Sequence, residues 1–199
     1  MIGIFIGMQN SGKTLSMSYY AYLYYKQNFT IYSNYNLEFP HIKLTKEIIL
    51  DYTTKRKQFS KSIFCIDEIY LFFDARKFSS KSNMIFSYFV TQSSKNDVHI
   101  FGTAQFFNTI EKRIRENATF KCFCSRYIKK NNSYYPLNKN IRFLDKNIND
   151  VLYINNSFLM RTIDYINLSD KYYSKTVYIK AKEIFKLFNT KELISISGD

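Results

Sequence analysis

The chain has 199 residues, 46% apolar and 19% aromatic, enough for one folded core and unlike a disordered segment. Its 29 Lys and Arg against 16 Asp and Glu give a net charge of +13, which gathers polyanions, nucleic acid above all; solubility alone is the blander reading. The three cysteines, Cys65, Cys122 and Cys124, lack zinc or disulfide-framework spacing and read as reduced cytosolic thiols, and no apolar run approaches the ~20 residues of a membrane span.

In chain order, residues 2–6 predict a short strand, and 13–27 a helix with Leu15, Tyr19, Tyr22, Leu23 and Lys26 at helical spacing. Residues 29–33 (FTIYS) predict a second strand, after which Pro40 rules out a central strand for NYNLEFPH. A polar helix is expected over 46–60. The run SIFCID (62–67) reads as a strand buried on both faces of a parallel sheet, and VHIFGT (98–103) repeats that pattern. Helices are expected over 82–93 and 109–117, the second basic, and a strand over 119–126. The Lys- and Asn-rich stretch 129–149 predicts an exposed loop, residues 151–180 two or three strands including a hairpin, and 181–188 a last helix. The alternation predicts an α/β fold, a mostly parallel sheet between helices with a C-terminal β-rich extension. One domain over 1–199 is expected, with a core of about 1–126 and an extension of about 127–199.

Gly7 to Thr14, GMQNSGKT, matches G-x-x-x-x-G-K-[ST] in full between a predicted strand and a predicted helix. Such a loop aims backbone N–H groups at phosphate, and the helix that follows adds its positive end. The nucleotide-binding set is Gly7, Gln9, Asn10, Ser11, Gly12, Lys13, Thr14 and Leu15. Lys13 would neutralise the β and γ phosphates and Thr14 would coordinate Mg²⁺. A chance Gly-containing turn is the weaker alternative.

SIFCIDE places Asp67 and Glu68 at the carboxyl end of a strand read as neighbouring the phosphate loop. Asp67 would hold Mg²⁺ and Glu68 would activate the attacking water, which favours hydrolysis over a solvated turn. Gln105, just past HIFGTA, would read the γ-phosphate or orient the water; a strand-end turn is the alternative. Arg113 or Arg115, on the basic stretch IEKRIREN, is a candidate arginine finger supplied in trans, against a plain solvated helix face. The basic segment 127–146 is a candidate pore or interface element, or a solubilising loop.

Taken together, GMQNSGKT, IYSNYNLEFP, FCIDEIYLFFDAR, FVTQSSKNDVHIFGTAQ and IEKRIREN over roughly residues 2–123, with LFNTKEL near the end, resemble the FtsK/HerA-type P-loop ATPases. Within that group the likeness is to the zonula occludens toxin-like and viral genome-packaging branch. The resemblance implies a RecA-like (ASCE) core with the Gln-bearing strand between the loop strand and the acid strand. It implies ATP with Mg²⁺, rings that are commonly hexamers, and translocation of double-stranded DNA. It also assigns Arg76 a structural or intersubunit role. Where relatives carry an Arg-Lys pair, this chain has Ser94 and Lys95, which removes one finger candidate.

A first strand at residue 2 leads to the expectation of a bare motor without an upstream domain. The absence of a membrane segment tilts the expectation toward genome packaging in the cytoplasm of an infected host cell or on the virion, with a capsid or portal-vertex protein as possible partner. Filamentous-virus assembly or extrusion, a nucleotide kinase and a non-enzymatic nucleotide-binding scaffold stand as the other readings. A kinase would act as a monomer on nucleosides, and a scaffold would tolerate loss of Glu68.

Overall fold

The computed structural model describes residues 1–72, 88–137, 151–164 and 166–188. Its strands are β1 (Ile2–Ile6), β2 (Thr30–Ser33), β3 (Ile42–Lys43), β4 (Ser62–Ile66), β5 (Val98–Ala104), β6 (Phe120–Lys130), β7 (Ser133–Pro136), β8 (Val151–Asp164) and β9 (Ser169–Lys180). They form one sheet in the order β3-β2-β4-β5-β1-β6-β8-β9, with β7 paired to β6. From β3 through β6 the pairing is parallel, and β7, β8 and β9 join antiparallel.

The apolar runs become central strands because both faces are covered. In β1, Ile2, Ile4 and Ile6 enter one core layer and Phe5 enters the other. β4 divides its residues the same way, Phe64 and Ile66 against Ile63 and Cys65. A parallel strand buried on two sides must be apolar at every position, which is why alternation is missing from its sequence. Helix α1 (Lys13–Tyr25) covers one face through Met17 and Ala21. The opposite layer holds Ile49 and Tyr52 of α2 (Lys46–Thr54), Ile69 of α3 (Ile69–Phe72) and Ile114 of α4 (Lys112–Asn117). The last helix, α5 (Ala181–Ile184), packs on β8 and β9 with Leu15, Ile154 and Ile179.

Several boundaries differ from expectation for local reasons. The polar helix stops at Thr54 and continues as a 3-10 turn, Arg56–Phe59. The basic helix starts only at Lys112, because the Glu111 carboxylate caps it by accepting from the backbone N–H of Arg113 (2.7 Å) and Ile114 (3.4 Å). Of the expected helix 82–93, residues 88–92 are helical and the rest of its start lies outside the described residues.

The exposed loop expected at 129–149 is corrected over its first part: β6 runs to Lys130, turns at Asn131 and Asn132, and returns as β7. Both Asn residues hold positive φ (45° and 62°), the conformation a two-residue hairpin turn requires and Asn tolerates. Apolar contact comes from Tyr134, stacked at 4.1 Å on Tyr178 and edge-on to Tyr153 at 5.2 Å. Residues 138–150 lie outside the described residues. The acid strand is not a direct neighbour of the loop strand: β5 lies between β4 and β1. That places the Gln-bearing strand where the family likeness puts it.

Candidate active site

The phosphate-loop motif fills the turn between β1 and α1, at the carboxyl end of the parallel strands. Gly7 must lack a side chain here, because a Cβ would stand 2.4 Å from Ser11 Oγ and 2.6 Å from the Cys124 carbonyl. Gly12 turns the chain into the helix at φ 91°, left-handed backbone that favours glycine, and Asn10 is left-handed too (φ 61°). No side chain caps α1. Its first-turn N–H groups, Leu15's among them, are therefore available to an anion, while the Leu15 side chain is buried in the core. Lys13 is only 7% exposed, and its ammonium donates to the Met8 carbonyl at 3.2 Å, tucked inside the loop.

The acids follow β4. Thr14 Oγ1 donates to Asp67 Oδ1 at 2.9 Å, so the loop hydroxyl and the first carboxylate are in contact. Thr103 of β5 donates to the same oxygen at 2.5 Å while accepting from the Glu68 N–H at 2.9 Å. Just after β2, Asn34 grips the Asp67 backbone on both sides, accepting from its N–H (2.7 Å) and donating to its carbonyl (3.0 Å). Glu68 sits in left-handed backbone (φ 49°), a conformation that costs a non-glycine residue about 1 kcal/mol and that these bonds hold in place.

Burial raises the proton affinity of Asp67, opposed by the Thr103 and Thr14 hydrogen bonds and by Lys13. Glu68 is likewise raised by burial and then by the Asp67 charge, opposed by a hydrogen bond from Tyr70 and by Lys13. Among the described residues, four buried side-chain atoms lack a hydrogen-bond partner, and two of them, Ser11 Oγ and Glu68 Oε2, belong to this loop and acid pair. Buried polar atoms left unpaired at one place in a fold are the mark of a ligand site.

Gln105 follows β5 directly and is half-buried; the preceding residue, Ala104, pairs with Ile6 and accepts from the Gly7 N–H at 3.4 Å. Gln105 therefore follows the strand that lies between the loop strand and the acid strand. Arg113 is exposed beside Glu111 (3.8 Å), and Arg115 is half-buried with its Nε unpaired. Both ride on α4, which runs from the β5 end back to the start of β6, so the structure does not gather them with the acids as it gathers Lys13, Thr14, Asp67 and Glu68. Ser94 lies in the 3-10 turn Ser93–Asn96, and Arg76 lies outside the described residues. Sequence reading missed Asn34 and Thr103. The available signal for Thr103 is a fully buried hydroxyl in the apolar second half of its strand.

These residues fit a nucleoside triphosphate with a divalent cation. The uncapped helix and Lys13 suit phosphate, and Thr14 with Asp67 offers two adjacent oxygens. Among the described residues no group of three His, Cys, Asp or Glu could hold a metal alone, so phosphate and water would complete its shell. A mostly parallel sheet layered by helices, with a phosphate loop after β1 and acids two strands away, defines a RecA-like P-loop NTPase.

The chain belongs to the ATPase family associated with various cellular activities (AAA), whose model matches residues 3–126. No curated protein matches it in sequence. Among solved structures it is similar to the N-terminal domain of zonular occludens toxin from Neisseria meningitidis: 14% identity, TM-score 0.56, covering 94% of this chain and 98% of that one. It is also similar to B204, the DNA-packaging ATPase of Sulfolobus turreted icosahedral virus, at 15% identity and TM-score 0.49, covering 86% and 96%. The flagellar accessory protein FlaH of Methanocaldococcus jannaschii aligns at 11% identity and TM-score 0.45, covering 90% and 84%. At 14% identity the likeness to the zonular occludens toxin domain is one of fold.

Proposed function

We propose that the chain is an ATP-hydrolysing DNA translocase of the FtsK/HerA type that packages a viral genome, acting as a ring of copies on double-stranded DNA. The observation that carries the hydrolytic part is the acid pair: Asp67 bonded to Thr14 beneath the loop, and Glu68 one residue on with a carboxylate oxygen that has no partner. The sequence blocks and the +13 charge support the translocation part. No helix among the described residues is long and apolar enough to cross a membrane. In this reading the protein works in the cytoplasm of an infected cell or on the virion, with a capsid or portal-vertex protein as its further partner.

The loop N–H groups and Lys13 hold the phosphates, and Thr14 with Asp67 holds Mg²⁺, which when bound neutralises charge building on the phosphoryl oxygens. Glu68, its proton affinity raised by burial and by Asp67, accepts the proton of the attacking water. Thr103 and Asn34 fix the backbone that carries both acids. Gln105 orients the water or senses the γ-phosphate, and Arg113 or Arg115 of a neighbouring copy stabilises the transition state.

ATP hydrolysis with and without duplex DNA tests this reading in the parent chain, Lys13→Ala and Glu68→Gln. The parent is expected to be stimulated by DNA. Lys13→Ala should lose nucleotide binding, and Glu68→Gln should bind ATP but hydrolyse it on the order of 100-fold more slowly. Parent-like hydrolysis by both variants would remove the site assignment. Hydrolysis indifferent to DNA would remove the translocase.

A further inference from the structure

β8 and β9 form a long antiparallel hairpin whose far end leaves the body of the sheet. Met160 pairs with Phe120, the first residue of β6, the Arg161 N–H donates to the Thr119 carbonyl (2.8 Å), and β8 then continues to Asp164, about 10 Å beyond Arg161. Ser169 to Thr176 of β9 are exposed on both faces. At the turn, Ile166 is 92% and Leu168 85% exposed, and Met160, Ile163, Tyr172 and Tyr173 are exposed beside them. Six large apolar side chains at one end of an arm make several hundred Å² of apolar surface, comparable to one side of a standard interface of roughly 800 Å² per partner.

This end is rigid. Asp164, its side chain 7% exposed, accepts from the N–H of Ile166 (3.0 Å) and Asn167 (3.3 Å), from Asn167 Nδ2 (3.0 Å) and from Lys171 Nζ (2.7 Å). Leu168 is thereby held in left-handed backbone (φ 49°), an outlier conformation for leucine, with its side chain pointing to solvent. A turn ordered in advance lowers the entropy cost of docking.

At the arm end, residues 160–173, two ion pairs balance the charge, Arg161 with Asp170 (2.8 Å) and Lys171 with Asp164 (2.7 Å), and Arg161 also donates to the Glu116 carbonyl (2.6 Å). On a chain of net charge +13, copies repel one another over most of their surface. The arm end is apolar and internally neutralised, a poor surface for nucleic acid and a suitable one for a second copy.

The matching concave surface lies on the same chain. At the opposite edge of the sheet, where β3 is the last strand, an open cleft of about 560 Å³ is lined by Tyr25, Phe29, Ile31, Pro40 and Ile42, with the polar Lys26, Asn28, Thr30 and His41 among them. The cleft sits at the C-terminal end of α1 and the start of β2, and the arm turn passes the start of β6. Both therefore lie at the amino end of the parallel strands, away from the phosphate loop. A projection on one edge and a cleft on the other give a head-to-tail contact that closes into a ring or extends as a filament.

We infer that the β8–β9 arm docks on a second copy of this chain, with Ile166 and Leu168 seated in the cleft beside β3 of that copy. The inference deepens the ring reading above and does not depend on ATP hydrolysis. It is tested on the full chain by sedimentation velocity across a concentration series, with and without ATPγS, for the parent and the double variant Ile166→Lys/Leu168→Lys. The altered side chains are almost wholly in solvent, so the melting temperature and ATPγS binding should be unchanged while the dissociation constant for self-association rises tenfold or more. Separately, Leu168→Cys with Ile42→Cys should form intermolecular disulfides on oxidation, since the native thiols are buried.

A parent chain that stays monomeric, an unchanged constant in the lysine variant, or no intermolecular Leu168→Cys/Ile42→Cys bond would overturn the inference. Binding to vesicles or to duplex DNA that the lysine variant loses while its self-association is intact would also overturn it, in favour of those occupants. Lost hydrolysis in Glu68→Gln with normal assembly, or lost assembly in the arm variant with ATPγS binding kept, separates failure of this inference from failure of the catalytic reading.

Discussion

Replacing Thr103 with valine tests whether the acid turn is held from β5. Valine keeps the shape and removes one hydroxyl that makes two hydrogen bonds, 2.5 Å to Asp67 Oδ1 and 2.9 Å from the Glu68 N–H. A lost bond to a charged group costs about 1.5–3 kcal/mol, and a partly buried N–H left unpaired costs about 1 kcal/mol more. Valine recovers a little of this through its extra buried methyl, leaving a net loss of about 2–3 kcal/mol. In a chain of this size that lowers the melting temperature by about 5–10 °C without unfolding it. The left-handed Glu68 also loses the bond that holds its backbone, so kcat should fall at least tenfold with little change in the KM for ATP. Urea denaturation, a thermal melt and steady-state kinetics read these effects, and Thr103→Ser, which keeps the hydroxyl, should restore most of both. If the valine variant melts and hydrolyses like the parent, or the serine variant is as impaired as the valine variant, β5 does not hold the acids.

Gly3→Ala should destabilise strongly, by 3 kcal/mol or so, because a Cβ there would meet the Phe120 ring at 2.0 Å. Adding Phe120→Leu should recover part of that loss in a double-mutant thermal melt. Lys171, then Asn167, hold the Asp164 carboxyl down at about 2, below the usual carboxylate range. Its contribution is therefore complete above about pH 4 and lost as pH falls toward 2. Protection of the Ile166 and Asn167 amides, measured against their intrinsic exchange rates at each pH, should fall across that window, and in Asp164→Asn it should be low at neutral pH too. At the β6–β7 turn, Asn132→Gly should be tolerated, while Asn132→Val, forced into φ 62°, should lower the urea midpoint by an amount equivalent to about 1–2 kcal/mol.

The parts legible in the sequence were those whose physics is local. The phosphate loop is a contiguous motif in which Gly12 meets the demand of its own left-handed turn and Gly7 that of nearby Ser11 as well as of the distant Cys124 carbonyl, and β1, β4 and β5 are apolar at nearly every position because both of their faces are covered. Asp67 and Glu68 could be read because strand ends in such sheets carry chemistry at a fixed place. The β6–β7 hairpin was hidden: Lys and Asn dominate its composition, and the contact that orders it, Tyr134 on Tyr178, joins residues far apart in the chain.

Asn34 and Thr103 were invisible for the same reason, since each acts on residues more than thirty positions away, and only the pairing of β2 with β4 and β4 with β5 brings them to the acids. The arm and the cleft at opposite sheet edges are a product of strand order, which no short-range pattern encodes. Local sterics and burial periodicity thus determined the loop and the core strands from the sequence alone. Tertiary structure decided what surrounds them, because hydrogen bonds and surfaces between distant segments exist only once the sheet has assembled.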